Sequence, residues 1–193
     1  MGQDYPGLFR WVGFVSNVRL LSHNKYGFPM KLFHDETLRA IRDQLIKKGE
    51  SISIAESVTS GLLQFAMSNT MDTVDFFQGG ITVYNANQKF RQLNIEPTHA
   101  LAVNCVSEQV AIELAQNVRI KFDSEYGVGI TGYASAVPES GNKLFAYFAI
   151  TYKSRVLHTA RLDTEPQEGI GVQLYYVNEV VRAIASILIS DHS

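Results

Sequence analysis

Residues 51–61 read Ser-Ile-Ser-Ile-Ala-Glu-Ser-Val-Thr-Ser-Gly, and Leu62-Leu63 carry the chain into a second apolar run. The apolar residues Ile52, Ile54 and Ala55 make residues 51–55 a short buried strand. Beyond the polar turn, Leu62, Leu63, Phe65 and Ala66 suit a helix from residue 59 to about 69. Strand ends in open α/β sheets are where ligands bind, and helix starts offer free N–H groups. Ser57 therefore lies where chemistry is expected.

Working outward, Asp35 suits the cap of a helix to about residue 48, with Leu38, Ile41, Leu45 and Ile46 along one stripe and Gly49 as its stop. Downstream, Gly79-Gly80 precede a strand over 81–84, and Asn85 caps a helix that holds Lys89 and ends near Leu93, before Pro97. Ser107 and Glu108 open an amphipathic helix to about Phe122. A strand over 126–131 ends at Gly132; strands 143–152 and 156–162 follow, joined by a Lys153-Ser154 turn, and a helix over 167–189 closes the chain. Strands and helices alternate early and a hairpin follows. That order predicts a layered α/β/α sandwich with a mixed β-sheet.

Composition narrows the function. With 46% hydrophobic and 19% charged residues, the 193-residue chain can bury a continuous core and is not a disordered one. Seventeen Lys+Arg against nineteen Asp+Glu lack the basic excess of a nucleic-acid binder. One cysteine, Cys105, excludes an intrachain disulfide, and five separated histidines show no metal-ligand spacing. No metal, cofactor, nucleic acid or membrane is expected, and the compartment expected is the cytoplasm. Residues 8–21 are apolar but interrupted by Arg10 and Arg19. That run is shorter than the ~20 apolar residues of a bilayer span. Residues 1–29 are read as an accessory arm or over-extended start, and residues 30–193 as the domain.

Three segments offer chemistry, each with a plainer reading beside it. Ser57 is a candidate nucleophile, or it and Thr59 are helix caps. Lys89 is a base if burial or a nearby cation lowers its pKa, or a solvated helix charge. Small residues around Thr131-Gly132 admit backbone N–H groups to a ligand, or form a simple turn. Cys105 reads as a buried small residue.

Four blocks, IAESVTSGLL, FFQGGITVYNANQK, CVSEQVAIELA and GITGYA, occur in an order and spacing that resemble the CinA C-terminal domain family. That family includes nicotinamide-nucleotide amidases, and the resemblance covers roughly residues 33–190. It implies a Ser/Lys amidohydrolase that converts nicotinamide mononucleotide or a related amide to the acid and ammonia, without metal or cofactor, as a homo-oligomer. Ser57 matches the nucleophile, Lys89 the base and Tyr84 the family tyrosine, a proton relay or lysine anchor. Thr59 and Gly61 match the helix-start positions, and Thr131 and Gly132 the later turn; these four are expected at the substrate.

Two family segments are replaced. The Gly-Pro-x-Gly-Gly loop is Ser135-Ala136-Val137-Pro138-Glu139-Ser140-Gly141 here, and the Gly-Asp-Arg segment is Asp163-Thr164-Glu165-Pro166-Gln167-Glu168-Gly169. Glu139 and Glu165 are thus expected near the phosphate and should weaken mononucleotide binding. The alternative function is a weakened or inactive CinA-like protein that binds a ligand or partner.

Overall fold

The computed structural model describes residues 32–166 and 170–190, all within one compact unit, Lys31–Ser193. The arm expected over residues 1–29 lies outside the described residues. The elements are α1 (Asp35–Lys48), β1 (Ile52–Glu56), α2 (Leu62–Ser68), β2 (Phe77–Thr82), α3 (Ala86–Leu93), α4 (Pro97–Ala102), α5 (Glu108–Lys121), β3 (Tyr126–Tyr133), β4 (Leu144–Tyr152), β5 (Arg155–Thr164) and α6 (Gly171–Ser190).

One five-stranded sheet runs in the order β2-β1-β3-β4-β5. β1 is parallel to both β2 and β3, while β3–β4 and β4–β5 are antiparallel, so the sheet is mixed as expected. Helices cover both faces. On one face, Ile41 and Leu45 of α1, Leu63 of α2 and Val177, Val181 and Ile184 of α6 bury against Ile54, Val128, Ile130 and Phe148. On the other, Val110, Leu114 and Val118 of α5 pack with Ala55, Val83 and Leu93. α6 is long and apolar enough to cross a bilayer by length and composition, but its apolar side is spent on this core.

α5 lies almost directly on β3, which requires glycine on that face. A Cβ on Gly127 would come 2.0 Å from the Ala115 carbonyl oxygen, and one on Gly129 2.3 Å from that of Ala111.

Several boundaries moved. His34, not Asp35, stands at the N-cap of α1, and its side chain caps nothing. β2 begins at Phe77, four residues before the expected strand, because Gly79 and Gly80 lie inside it rather than ahead of it. Gly80 fits there because a Cβ would sit 2.6 Å from the Ile54 carbonyl oxygen across the ladder. α4 was not expected at all. Glu96 caps it by accepting from Thr98 N and His99 N, and Pro97 opens it rather than merely following α3. The expected start of the last helix, residues 167–169, lies outside the described residues.

Candidate functional site

β1 and β2 end level with each other while β3 runs three residues further, to Tyr133, and the chain leaves β1 and β2 on different faces. After β1 it turns to α2, on the α1/α6 face; after β2 it turns to α3, on the α5 face. That divergence opens a crevice at the strand ends, the usual ligand position in open α/β sheets. A cleft of about 490 Å³ lies there, lined by Ser57, Lys89, Tyr84, Thr131 and Gly132 among others.

Ser57 continues β1 between its two neighbours. Its N–H donates to the Ile130 carbonyl (3.2 Å), while the Glu56 carbonyl accepts from Val83 N (2.9 Å). Those two bonds hold the serine in register with β3 and the 83–85 segment. Ser57 is 5% exposed, and its Oγ donates to Thr131 Oγ1 at 3.3 Å. Thr131 Oγ1 in turn donates to the Cys105 carbonyl at 2.8 Å.

Lys89 is a solvated helix charge in neither position nor burial. Only 1% of it is exposed, and Nζ donates to the Val83 carbonyl at 2.9 Å. Asn85 fixes the helix that carries it, its side chain accepting from Gln88 N at 3.0 Å, as the sequence pattern predicts. Burial pushes the Lys89 ammonium below the usual lysine range, because the charged form loses its hydration; the nearby Cys105 pulls the other way. Ser57 and Lys89 face one cleft, yet each hydroxyl or amine bond goes to another partner. Among the described residues no hydrogen bond joins them.

Other expectations need correction. Neither Ser57 nor Thr59 is a helix cap, because α2 starts only at Leu62 and Gly61 stands at its N-cap position. Ser60 (φ 53°) and Gly61 (φ 100°) are left-handed and break the helix that the apolar spacing suggests from residue 59. Thr59 and Gly61 do not line the cleft: the Thr59 hydroxyl donates to Glu56, and Gly61 serves the turn. Gly132 lines the cleft, but glycine is needed there for the sheet, since a Cβ would meet the Phe145 carbonyl oxygen at 2.4 Å. Tyr84 is 76% exposed at the rim, with no hydrogen bond to Ser57 or Lys89 among the described residues. Glu139 is exposed on a short 3-10 turn (Pro138–Ser140), and Glu165 borders a separate hollow with Asp163 and Lys143. Neither lines the cleft.

Several contributors carried no sequence signal. Gln173 of α6 donates through Nε2 to the Val58 carbonyl (2.9 Å), clamping the turn after Ser57 from the opposite end of the chain. Asn104 Nδ2 donates to Tyr133 Oη (2.9 Å) across the cleft wall, and Cys105, as expected, is buried there. Glu56, one residue before Ser57, has a role that local spacing does not mark. It is fully buried, and its carboxylate accepts from Thr59 Oγ1, Leu63 N, Gln64 N and Gln64 Nε2. It thereby does the capping that serine and threonine were expected to do. Among the described residues no cluster of histidine, cysteine or carboxylates could hold a metal.

A mixed five-stranded sheet with helices on both faces, and a cleft beside its parallel strands that holds a serine and a buried lysine, defines an α/β class of domain. The family model of the CinA C-terminal domain matches residues 34–184, and the chain belongs to that family. Curated relatives are named competence-damage inducible proteins. That of Natranaerobius thermophilus is 31% identical over 115 residues, 60% of this chain and 28% of the relative. That of Streptococcus pneumoniae D39 is 26% identical over 149 residues, 77% of this chain and 36% of the relative. The chain thus spans about a third of these relatives. Among solved structures, the CinA superfamily protein of Klebsiella pneumoniae superposes with TM-score 0.76 at 22% identity, covering 81% of this chain and 98% of that one. The one from Enterobacter cloacae gives 0.75 at 25%, covering 84% and 99%.

Proposed function

We propose that this domain is a Ser/Lys amidohydrolase acting on a nicotinamide-type carboxamide, as the family resemblance implies. The observation that carries the reading is Lys89: a lysine held by one backbone carbonyl, depressed in pKa and buried at a cleft that Ser57 also lines. A neutral amine takes the Ser57 proton, and Oγ bonds to the amide carbon. The carbon–nitrogen bond then breaks, and the nitrogen leaves as ammonia with the proton from Lys89. Water hydrolyses the ester, releasing the carboxylic acid and restoring Ser57. Since the Ser57 N–H is engaged by Ile130, the oxyanion donor belongs to the following turn, where the N–H of Val58, a residue of the cleft wall, is the candidate. Turnover requires the Ser57 hydroxyl to swing from Thr131 towards Lys89.

That requirement also supports a second reading, a CinA-like binding protein in which the pair never engages. Ammonia release from nicotinamide mononucleotide, its riboside and nicotinamide by the purified protein separates the two. Release abolished by Ser57→Ala supports the enzyme; no release from any amide supports the binder.

A further inference from the structure

We infer that Gln173, in the first turn of α6, is a positioning residue that aims the Val58 N–H at the reacting carbonyl. The inference rests on the amidase reading for the reaction that this N–H serves.

The geometry starts from one amide. Gln173 Nε2 donates to the Val58 carbonyl at 2.9 Å and to Ser60 Oγ at 3.3 Å. A carbonyl oxygen only accepts, so the nitrogen rather than the oxygen of the amide faces Val58, and the two bonds use both of its hydrogens. Gln173, Val58 and Ser60 all line the cleft. The helix behind the amide is firm, because Val172, Tyr176 and Val177 are buried in the core. Tyr176 Oη also donates to the Tyr133 carbonyl at 3.1 Å. One turn of α6 therefore holds the cleft on two sides, at the turn after β1 and at the end of β3.

The consequence follows from the planar peptide, in which N–H and C=O point in opposite directions. The Val58 N–H takes its direction from the Ser57 carbonyl, and that carbonyl accepts from Ser60 N at 3.2 Å. Ser60 is left-handed, with φ 53°, a conformation that a serine keeps only when its surroundings hold it. Gln173 holds Ser60 through the hydroxyl and holds the next peptide through the Val58 carbonyl. The other ties of this turn are local: Thr59 Oγ1 donates to Glu56, and Leu62 N donates to the Thr59 carbonyl. Removing the amide frees Ser60 and leaves the Val58 carbonyl bare at the cleft wall. A misaimed N–H and an unmasked carbonyl dipole both oppose the negative charge that develops on the substrate oxygen. That charge exists in the transition state and not in the bound substrate, so the loss falls on kcat and spares KM.

The test uses the full chain bearing Gln173→Met, which keeps length and apolar bulk, or Gln173→Glu, which keeps shape but sets a carboxylate oxygen against the Val58 carbonyl. Three readouts are taken beside the melting temperature: kcat and KM for ammonia release, the rate of Ser57 labelling by a fluorophosphonate, and hydrogen exchange over residues 58–62. In the labelling, Ser57 Oγ bonds to phosphorus and fluoride leaves, so the rate reports the serine and its oxyanion donor without any amide substrate. Gln173→Met should lower kcat and the labelling rate by about tenfold or more, leave KM within about twofold, and speed exchange over 58–62 at a nearly unchanged melting temperature. Gln173→Glu should lose as much, and its labelling rate relative to the unmodified protein should recover as pH falls, because the protonated acid regains a donor. An unchanged labelling rate, a change in KM alone, unchanged exchange, or an unmodified protein whose Ser57 does not label overturns the inference. Slower labelling and faster exchange in Gln173→Met, with no ammonia released from any amide by the unmodified protein, leave the inference standing and remove the amidase reading. Full ammonia release by Gln173→Met does the reverse.

Discussion

Lys89 concentrates the residue-scale argument, because a buried amine ties stability to pH. Its folded pKa is lowered, so between that value and the ordinary lysine value of 10.5 the unfolded chain binds the extra proton. Unfolded protonation favours unfolding at the lower end of that window, and the penalty fades as pH rises through it. The unmodified protein should therefore gain stability relative to Lys89→Met as pH is raised from 7 towards 10.5. Melting temperatures of the two proteins at a series of pH values check this; a constant difference would mean that Lys89 titrates normally. The carboxylate of Glu56 makes a second case. Glu56→Ala strands the buried donors Thr59 Oγ1 and Leu63 N and the half-buried Gln64 N, while Gln64 Nε2 keeps Thr82, and with about 1–3 kcal/mol for each unsatisfied group the loss should be at least about 3 kcal/mol, read by urea unfolding. A loss below 1 kcal/mol would show that α2 keeps its start without that carboxylate.

At the scale of elements, the legible parts were those whose cause is local. Asn85 three residues ahead of Gln88, Ser107 three ahead of Val110, and Gly49 after a charged last turn each act within one turn of chain, and α3, α5 and α1 start or stop as read. What escaped is governed across elements. The start of α2 is displaced because a strand carboxylate caps it and two left-handed residues precede it. Gly79 and Gly80 look like a break, yet Gly80 answers to the β1 backbone alongside it. The same reasoning yields a test at β3. Gly129→Ala places a methyl against α5, where backbone rather than a side chain must yield. The expected cost is about 3 kcal/mol, at the upper end of overpacking, measured by urea unfolding. Wild-type stability in that variant would mean that α5 sits farther from the sheet. Asn85→Ala should cost about 1 kcal/mol through the lost cap and lower turnover more than stability, because α3 carries Lys89.

Across the whole molecule, the sheet order explains why the site lies where it does. β1 is the middle one of the three parallel strands, β2 ends level with it and β3 runs past it, and the chain departs from β1 and β2 to opposite faces, so Ser57 at the end of β1, Lys89 on α3 and Thr131 within β3 reach one cleft without any being near in sequence. The order of the four sequence blocks foreshadowed that convergence, but the wall of the cleft could not be read that way. It draws Gln173 from the last helix and Tyr133 and Asn104 from separate turns, none marked by spacing. The central claim is that Ser57 and Lys89 act as one unit in amide hydrolysis. Steady-state ammonia release by the unmodified protein, Ser57→Ala, Lys89→Met and the double variant tests it most directly. The account predicts that each single change lowers kcat/KM by roughly a thousandfold or more, and that the double change lowers it no further, because both residues serve one proton transfer. Losses that multiply in the double variant, or a single variant keeping a tenth of the activity, would contradict it.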